Sequence, residues 1–148
     1  MIWVAGGSTV NLLALWRAHG LDTVFDDCWQ AGIVLMGVSA GSVCWHVGGT
    51  PDSFGLRLPS MTDALAFLPY SNSPHHDAEE QRRPVFHNVI AQGVLPDGYA
   101  TDNGAGLVYL GTDLHDVICD RPNALGYEVT RRPDGTVHEH PLTTRLLG

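Results

Sequence analysis

The sequence is short of basic residues. Among its 148 residues, eight are lysine or arginine and 16 are aspartate or glutamate, which gives a formal net charge of −8 at pH 7. The basic residues form no run, so we expect no nucleic-acid partner. No apolar stretch is long enough to cross a membrane, and the N-terminus lacks the basic region, apolar core and cleavage site of a signal peptide. We therefore expect no membrane association.

Cysteine is also scarce. Cys28, Cys44 and Cys119 lie far apart and show no spacing typical of a metal site or a disulfide framework. Each has apolar neighbours, which indicates buried thiols in a reducing compartment, so we expect a cytoplasmic protein. The chain contains no repeat, low-complexity segment or linker. Residues 1–148 are therefore predicted to form a single domain with one core.

A glycine-flanked serine organises the rest of the chain. The apolar run 32–36 predicts a buried strand, the pentapeptide Gly37-Val38-Ser39-Ala40-Gly41 follows it, and residues able to form a helix come next. A G-x-S-x-G pattern between a strand and a helix is typical of a nucleophile elbow, with the serine at the apex. The glycines leave room for a strained turn. The N–H of Ala40, at the start of the helix, would stabilise negative charge developing beside Ser39.

The order of elements predicts an α/β fold. Residues 2–5 form a short apolar run, Ser8 or Thr9 can cap a helix that ends at Gly20, and a second short helix closes at Gly32. This alternation favours a mostly parallel central sheet flanked by helices. Helical spacing also follows Pro84. From Gly98 onward, short apolar runs separated by turns predict a β-rich C-terminal part.

The loop Gly6-Gly7 follows the first predicted strand. In a parallel sheet this loop lies at the same edge as Ser39, where open α/β sheets bind ligands. A backbone N–H from the loop is therefore a candidate second oxyanion donor beside that of Ala40. The alternative is that these glycines only make a tight turn.

A serine nucleophile requires a base, and the base requires an orienting group. Among the eight histidines, His75 and His76 are the best candidates because they lie in a proline-bounded loop after a possible strand, where catalytic groups are often displayed. The residue pattern leaves the orienting acid open among four aspartates in predicted loops: Asp52, Asp77, Asp97 and Asp102.

A metal centre built from His75, His76, His138 and His140 is the alternative interpretation of these histidines. Adjacent histidines seldom both reach one metal ion, and no paired acidic ligand has suitable spacing. We therefore expect no metal and no cofactor.

Four motifs, taken together and in order, carry a family resemblance. They are Gly6-Gly7-Ser8-Thr9 before a leucine-rich helix, Gly37–Gly41 followed by Cys44-Trp45, Pro74-His75 followed by Glu80-Gln81-Arg82-Arg83, and Leu95-Pro96-Asp97-Gly98. With these motifs the chain resembles, over nearly its whole length, the S51 peptidases, which include the aspartyl dipeptidases (peptidase E) and, more distantly, cyanophycinase. The resemblance implies an α/β fold akin to class I glutamine amidotransferase domains, with serine in place of cysteine at the elbow.

The resemblance also implies a serine peptidase with a catalytic triad. Carried over by position, Ser39 is the nucleophile, His75 is the base and Asp97 is the orienting acid, with Asp52 in reserve. The order serine, histidine, acid differs from the order serine, acid, histidine of the α/β-hydrolases.

The remaining site residues follow from the same resemblance. Gly7 and Ala40 supply the oxyanion N–H groups. Family members cleave short peptides after an N-terminal aspartate, and an arginine suits that carboxylate. Arg82 is the candidate for this substrate-binding role and Arg83 is second.

Two features depart from the family pattern. Relatives carry a βα portion before the Gly-Gly strand, so we expect a shortened N-terminus here. If that portion is absent, one sheet edge is bare, and a bare edge predicts a homodimer. His76 stands where relatives usually have an aromatic residue. Two competing functions therefore remain open: a catalytically inactive or regulatory binding module, and an esterase or amidase that uses the same serine.

Overall fold

The computed structural model describes residues 1–51, 53 and 60–148. Its helices are α1 (Thr9–His19), α2 (Leu21–Gln30), α3 (Ala40–Val43) and α4 (Arg82–Ala91). Its strands are β1 (Ile2–Val4), β2 (Leu35–Gly37), β3 (Gly48–Gly49), β4 (Ser71–Pro74), β5 (Gly98–Thr101), β6 (Ala105–Leu110), β7 (Asp113–Cys119), β8 (Gly126–Arg131), β9 (Val137–Leu142) and β10 (Arg145–Leu146).

These strands form three hydrogen-bonded sheets. β1 and β2 pair in parallel, with Val4 opposite Gly37. The largest sheet has the order β3-β4-β5-β8-β9, and the third has the order β10-β7-β6. The two chain segments that follow β1 and β2 therefore leave the first sheet at the same edge, as the sequence predicted for the Gly6-Gly7 loop and Ser39.

The α/β class is confirmed, but the largest sheet is mixed rather than mostly parallel. β4 pairs in parallel with β3 and β5, whereas β8 pairs antiparallel with both β5 and β9. The difference arises after β5, where the chain enters the β6–β7 hairpin and returns through β8. Tight turns join antiparallel neighbours, whereas a parallel pair needs a long crossover. The predicted β-rich C-terminal part is present, and the likeness to class I glutamine amidotransferases stays a prediction.

Helix α1 begins and ends where its end residues predict. The Ser8 side chain caps α1 by accepting the Asn11 N–H, and Gly20 ends it in the left-handed conformation with φ 67°. Buried Leu13 and Trp16 of α1 pack with Val4, Cys44 and Trp45 in one apolar cluster. This cluster fastens β1, α1 and the segment after Ser39 to one another.

Helix α4 covers the larger sheet. Its fully buried Phe86 and Ile90 pack with Leu95, Ala100 and Val129 in a second apolar cluster. The helix begins close to Pro84, as predicted, because proline is tolerated in a first turn where no intrahelical N–H is needed. The sheet edge that carries His75 is thereby held against α4.

Strand β4 is buried although all of its residues but one are polar. Ser71 Oγ donates to the Pro96 carbonyl at 2.7 Å, and the Asn72 amide donates to the Tyr99 carbonyl at 3.3 Å. Because each side chain has a partner, this strand can occupy a position inside the sheet without an apolar face. Hydrophobic periodicity does not reveal such a strand, so the sequence did not predict β4, and its residues were expected to belong to a polar stretch before His75.

The first sheet leaves apolar side chains exposed. Trp3 is 59 % exposed and Val34 is 60 % exposed. The homodimer that a bare sheet edge predicts stays a prediction. Within the part of the chain that the structure describes, no helix is long and apolar enough to span a membrane.

We expect the substitution Gly41→Ala to destabilise the fold. A Cβ there would lie 2.7 Å from Val4 Cγ1 and 2.9 Å from the Ala5 carbonyl oxygen, where the backbone cannot easily retreat. Overpacking of this kind costs about 1–3 kcal/mol, measurable by urea unfolding. In the control Gly106→Ala, the added Cβ meets Ile118 at an ordinary 3.5 Å. Equal stability of the two variants would contradict the close approach.

Candidate active site

Ser39 lies between β2 and α3 in a strained backbone conformation. Its φ is 55° and its ψ is −119°, in a region that residues other than glycine seldom occupy. Neither flanking glycine has room for a side chain, since a Cβ on Gly37 would lie 2.7 Å from the Ser42 nitrogen. Ser39 itself is only partly buried. Its hydroxyl is therefore carried on a sharp strand-to-helix turn with access to solvent.

The loop after β1 lies beside this serine. A Cβ on Gly6 would be 3.2 Å from the Ser39 Cβ and 3.7 Å from its Oγ, so the backbone at Gly6 approaches the serine closely. Gly7 has φ 139° and open space around its Cα. Ala40 is the first residue of α3, and its N–H therefore has no intrahelical acceptor. Both predicted oxyanion donors, Gly7 and Ala40, thus lie on segments that flank Ser39.

His75 directly follows β4 and has a left-handed backbone with φ 58°. Its Nδ1 lies 2.5 Å from Oδ1 of Asn103, so the ring donates the Nδ1 hydrogen to that amide oxygen. This contact places the lone pair of the neutral ring on Nε2. A general base needs this arrangement, because the hydrogen bond at Nδ1 leaves Nε2 as the nitrogen that accepts a proton.

Asn103 is itself held in place. Its backbone N–H donates to Asp77 Oδ1 at 2.8 Å, and Arg121 donates to its carbonyl oxygen. Asn103 was not predicted from the sequence, because a carboxylate was expected in the orienting role. The available signal was topological: the turn after β5 lies beside the turn after β4 because these strands are parallel neighbours.

One side-chain hydrogen bond connects the two segments that carry Ser39 and His75. Ser42 Oγ donates to Asn72 Oδ1 at 3.0 Å, which joins the first turn after Ser39 to the strand that ends before His75. Within the described ranges, no hydrogen bond joins the Ser39 hydroxyl to the His75 ring. Hydrogen bonds between catalytic groups are often long or absent without substrate.

Asp97 lies at the wrong end of the sheet for the predicted triad. Gly98 pairs with Ser71 at the start of β4, whereas His75 lies beyond the other end of that strand. At about 3.3 Å per residue, this separates Asp97 from His75 by about 15 Å. The Asp97 carboxylate instead accepts the Arg131 N–H at 2.8 Å. The prediction that Asp97 orients His75 is therefore corrected.

The other aspartates do not replace it. Asp52, the reserve acid, lies outside the described residues. Asp102 is buried, and its Oδ2 accepts the Leu125 N–H and the Tyr127 hydroxyl, both at 3.1 Å. Asp77 accepts a hydrogen bond from the backbone N–H of Asn103, so its connection to His75 is indirect. Among the described residues, the side-chain amide of Asn103 is the group that forms a hydrogen bond with the His75 ring.

Arg82 is committed to the interior rather than to a substrate. It is 2 % exposed, its Nε and Nη2 contact both carboxylate oxygens of Glu79 at 2.8–3.1 Å, and its Nη1 donates to the Thr50 carbonyl at 2.8 Å. A buried guanidinium must keep such partners. The predicted role of Arg82 in substrate binding is therefore corrected to a structural one. The second candidate, Arg83, pairs with Glu139.

His46 lies on the segment after Ser39 and is unsuited to act as a base. Its Nδ1 donates to the Ser42 carbonyl at 2.8 Å, and its Nε2 lies 3.4 Å from the Tyr109 hydroxyl. Burial lowers the pKa of this ring to about 4, although the bond to Ser42 opposes the shift. The ring therefore stays neutral at pH 7 and ties the segment after α3 to β6.

Comparisons with known proteins bear on the family of this chain. A family model described as Peptidase family S51 matches residues 1–117. The chain is similar to a Bacillus subtilis (strain 168) protein named "Uncharacterized peptidase YgaJ", with 40 % identity over 148 residues. The match covers 100 % of this chain and 63 % of that protein, so the chain spans less than two thirds of its relative's length.

We expect Arg82→Ala to lower the free energy of unfolding by about 2–4 kcal/mol, because it strips a buried carbonyl and a half-buried carboxylate of their partner. Urea unfolding measures this loss. Arg132→Ala, at an exposed position, is the control and should change stability by less than about 0.5 kcal/mol. Unchanged stability together with a raised KM for acidic dipeptides would instead restore Arg82 to substrate binding.

Proposed function

We propose that this chain, which belongs to peptidase family S51, is a serine peptidase that hydrolyses short peptides with Ser39 and His75. One observation carries the proposal: the strained conformation of Ser39 on the turn between β2 and α3. Backbone strain of this kind persists where the surrounding structure enforces it, and it is found at catalytic sites. The turn is the geometry of a nucleophile elbow.

The proposed reaction proceeds through an acyl-enzyme. Ser39 Oγ attacks the peptide carbonyl carbon while Nε2 of His75 takes the hydroxyl proton. The protonated ring then gives that proton to the leaving amine, and the peptide C–N bond breaks. Water attacks the resulting ester by the same route, with His75 again as the base, and releases the acid product.

The oxyanion is assigned to two backbone donors. The N–H of Ala40 opens helix α3, and the loop of Gly6 and Gly7 lies against Ser39. Such donors stabilise the charge that develops on the carbonyl oxygen in the transition state. No metal or cofactor takes part in this mechanism.

Asn103 takes the orienting role that the sequence analysis gave to Asp97. Its amide oxygen holds the Nδ1 hydrogen of His75, which fixes the tautomer and the ring direction. An amide carries no negative charge, so it stabilises the protonated ring less than a carboxylate does. Papain-like proteases also have asparagine as the third member of the triad, although their nucleophile is a cysteine.

The preferred substrate is proposed to be a dipeptide with an N-terminal aspartate. This preference follows from the family resemblance and requires a cation near the site, which Arg82 does not provide. Arg121 is the replacement we assign, because its side chain is 54 % exposed, donates to the Asn103 carbonyl and has only a long contact, at 3.7 Å, with the exposed carboxylate of Asp77. Its guanidinium thus lies next to the group that holds His75.

A catalytically inactive binding module is the second candidate. The neutral amide at the orienting position favours it, because replacing a triad carboxylate by an amide costs some enzymes several orders of magnitude in kcat. A module of this kind would bind peptides at the same site without turning them over.

Ser39→Ala should reduce hydrolysis of Asp-Leu by at least about 10³-fold, because it removes the attacking oxygen. The release of leucine measures the rate, and Asn-Leu in parallel measures the acidic preference. Ser60→Ala, at an exposed position far along the chain, is the control and should keep the wild-type rate. A fluorophosphonate should label wild type at Ser39. An unlabelled wild type without turnover would favour the binding module, and equal rates in wild type and Ser39→Ala would remove Ser39 from the mechanism.

Asn103→Asp tests the orienting role. The new carboxylate should raise kcat about tenfold and move the acidic limb of the pH–rate profile to higher pH, because it stabilises the protonated ring. Asn103→Ala should lower kcat with little change in KM. The control is Asn88→Asp, an exposed residue on α4. Parallel losses of kcat in Asn103→Asp and Asn103→Ala, with an unmoved profile, would refute the assignment.

A further inference from the structure

Three metal-ligating side chains meet behind the turn that carries His75. The Nε2 atoms of His76 and His87 both lie against one oxygen, Oε2 of Glu139, at 2.8 and 2.6 Å. His76 follows β4, His87 lies on α4 and Glu139 lies on β9, so three separate elements converge. We propose that these residues form a binding site for a divalent transition metal, with Zn²⁺ as the ion that fits their chemistry.

The donor set and its spacing suit this ion. Two imidazole nitrogens and one carboxylate oxygen are ligands that Zn²⁺ accepts, with a fourth position left for water. The three ligand atoms lie within 4.8 Å of one another. Tetrahedral coordination with bonds of about 2.1 Å places ligand atoms about 3.4 Å apart. The nitrogen atoms of His76 and His87 lie 2.8 and 2.6 Å from Glu139 Oε2, so each ring needs to withdraw from that oxygen by about 0.6–0.8 Å to admit the ion.

Two further contacts hold the ligands in the orientation that metal binding requires. Arg83 Nη2 lies 3.1 Å from Oε1 of Glu139 and leaves Oε2 to the two histidines. Ser73 Oγ lies 3.3 Å from Nδ1 of His76. Ligating carboxylates and imidazoles commonly have such outer partners. A hydroxyl can either donate or accept, so Ser73 serves the His76 ring with or without the metal.

Burial makes the site selective for an ion rather than for a larger ligand. The His76 side chain is 0 % exposed, that of Glu139 is 16 % exposed and that of His87 is 32 % exposed. The opening is therefore on the His87 side. The two adjacent histidines, His75 and His76, diverge: His75 contacts Asn103, while His76 contacts Glu139.

Binding would fasten the turn after β4 to α4 and β9. Since His76 is bonded directly to His75, the ion would restrict the segment that presents the proposed base without touching it. Metal bound only to the folded chain adds its binding free energy to stability. The assignment is independent of the peptidase mechanism, because its readout is binding and stability.

The test uses the whole chain after treatment with EDTA and dialysis. Titration with Zn²⁺ followed by calorimetry should give one ion per chain, and Co²⁺ should give the visible absorption of a tetrahedral site. Zn²⁺ at about 100-fold above its Kd should raise the Tm by about 5–10 °C. His87→Gln replaces the most exposed of the three ligands by a polar side chain and should lower Zn²⁺ affinity at least about 100-fold. Glu139→Gln should do the same.

A second pair of histidines provides the matched control. His138 and His140 flank Glu139 on β9, are exposed and stack with ring centroids 6.3 Å apart. The double variant His138→Ala, His140→Ala should keep wild-type affinity and the full rise in Tm. Loss of binding in this double variant, unchanged binding in His87→Gln, or no saturable binding by wild type would each overturn the proposal. Circular dichroism of each variant checks that it is folded.

Discussion

The close approach of three backbone segments around Ser39 is the constraint on which the site depends. The turn after β2 packs against the end of β1 and the start of α3 so tightly that Gly37 and Gly41 have no room for a Cβ. Apolar burial of Trp16 and Trp45 beside Val4 holds these segments together. Ser39 keeps its positive φ within this packing, since a strained backbone persists where the surrounding structure enforces it.

The proposed base depends on a different kind of packing. His75 is placed by β4, a strand whose buried polar groups are satisfied by hydrogen bonds to the neighbouring backbone rather than by apolar contact. These polar side chains are satisfied only when β4 lies in register with its neighbours, so the hydrogen bonds specify where the strand ends and where His75 follows it. Ser42 and Asn72 then join the serine-bearing segment to this strand. The site is thus assembled where an apolar cluster and a polar strand meet.

The sequence predicted what local patterns encode. The Gly37–Gly41 turn, the capping of α1 by Ser8 and the end of α1 at Gly20 follow from residue types at fixed spacing, and the structure agrees with them. The partners of His75 and Arg82 depend instead on which strands are neighbours. Asp97 and Asn103 both lie in turns next to β5, but at opposite ends of it, and only the parallel register of β4 and β5 decides which one reaches His75. Burial of Arg82 depends in the same way on contacts distant in sequence.

The most direct test of the central claim is a crystal structure of the protein after reaction with a small peptidyl phosphonate. The account predicts phosphorus bonded to Ser39 Oγ, the phosphonyl oxygen at the N–H of Ala40, and His75 Nε2 within about 3 Å of the serine oxygen, with Nδ1 still on Asn103. A phosphonate bonded elsewhere, or a His75 ring turned away from a modified Ser39, would contradict it.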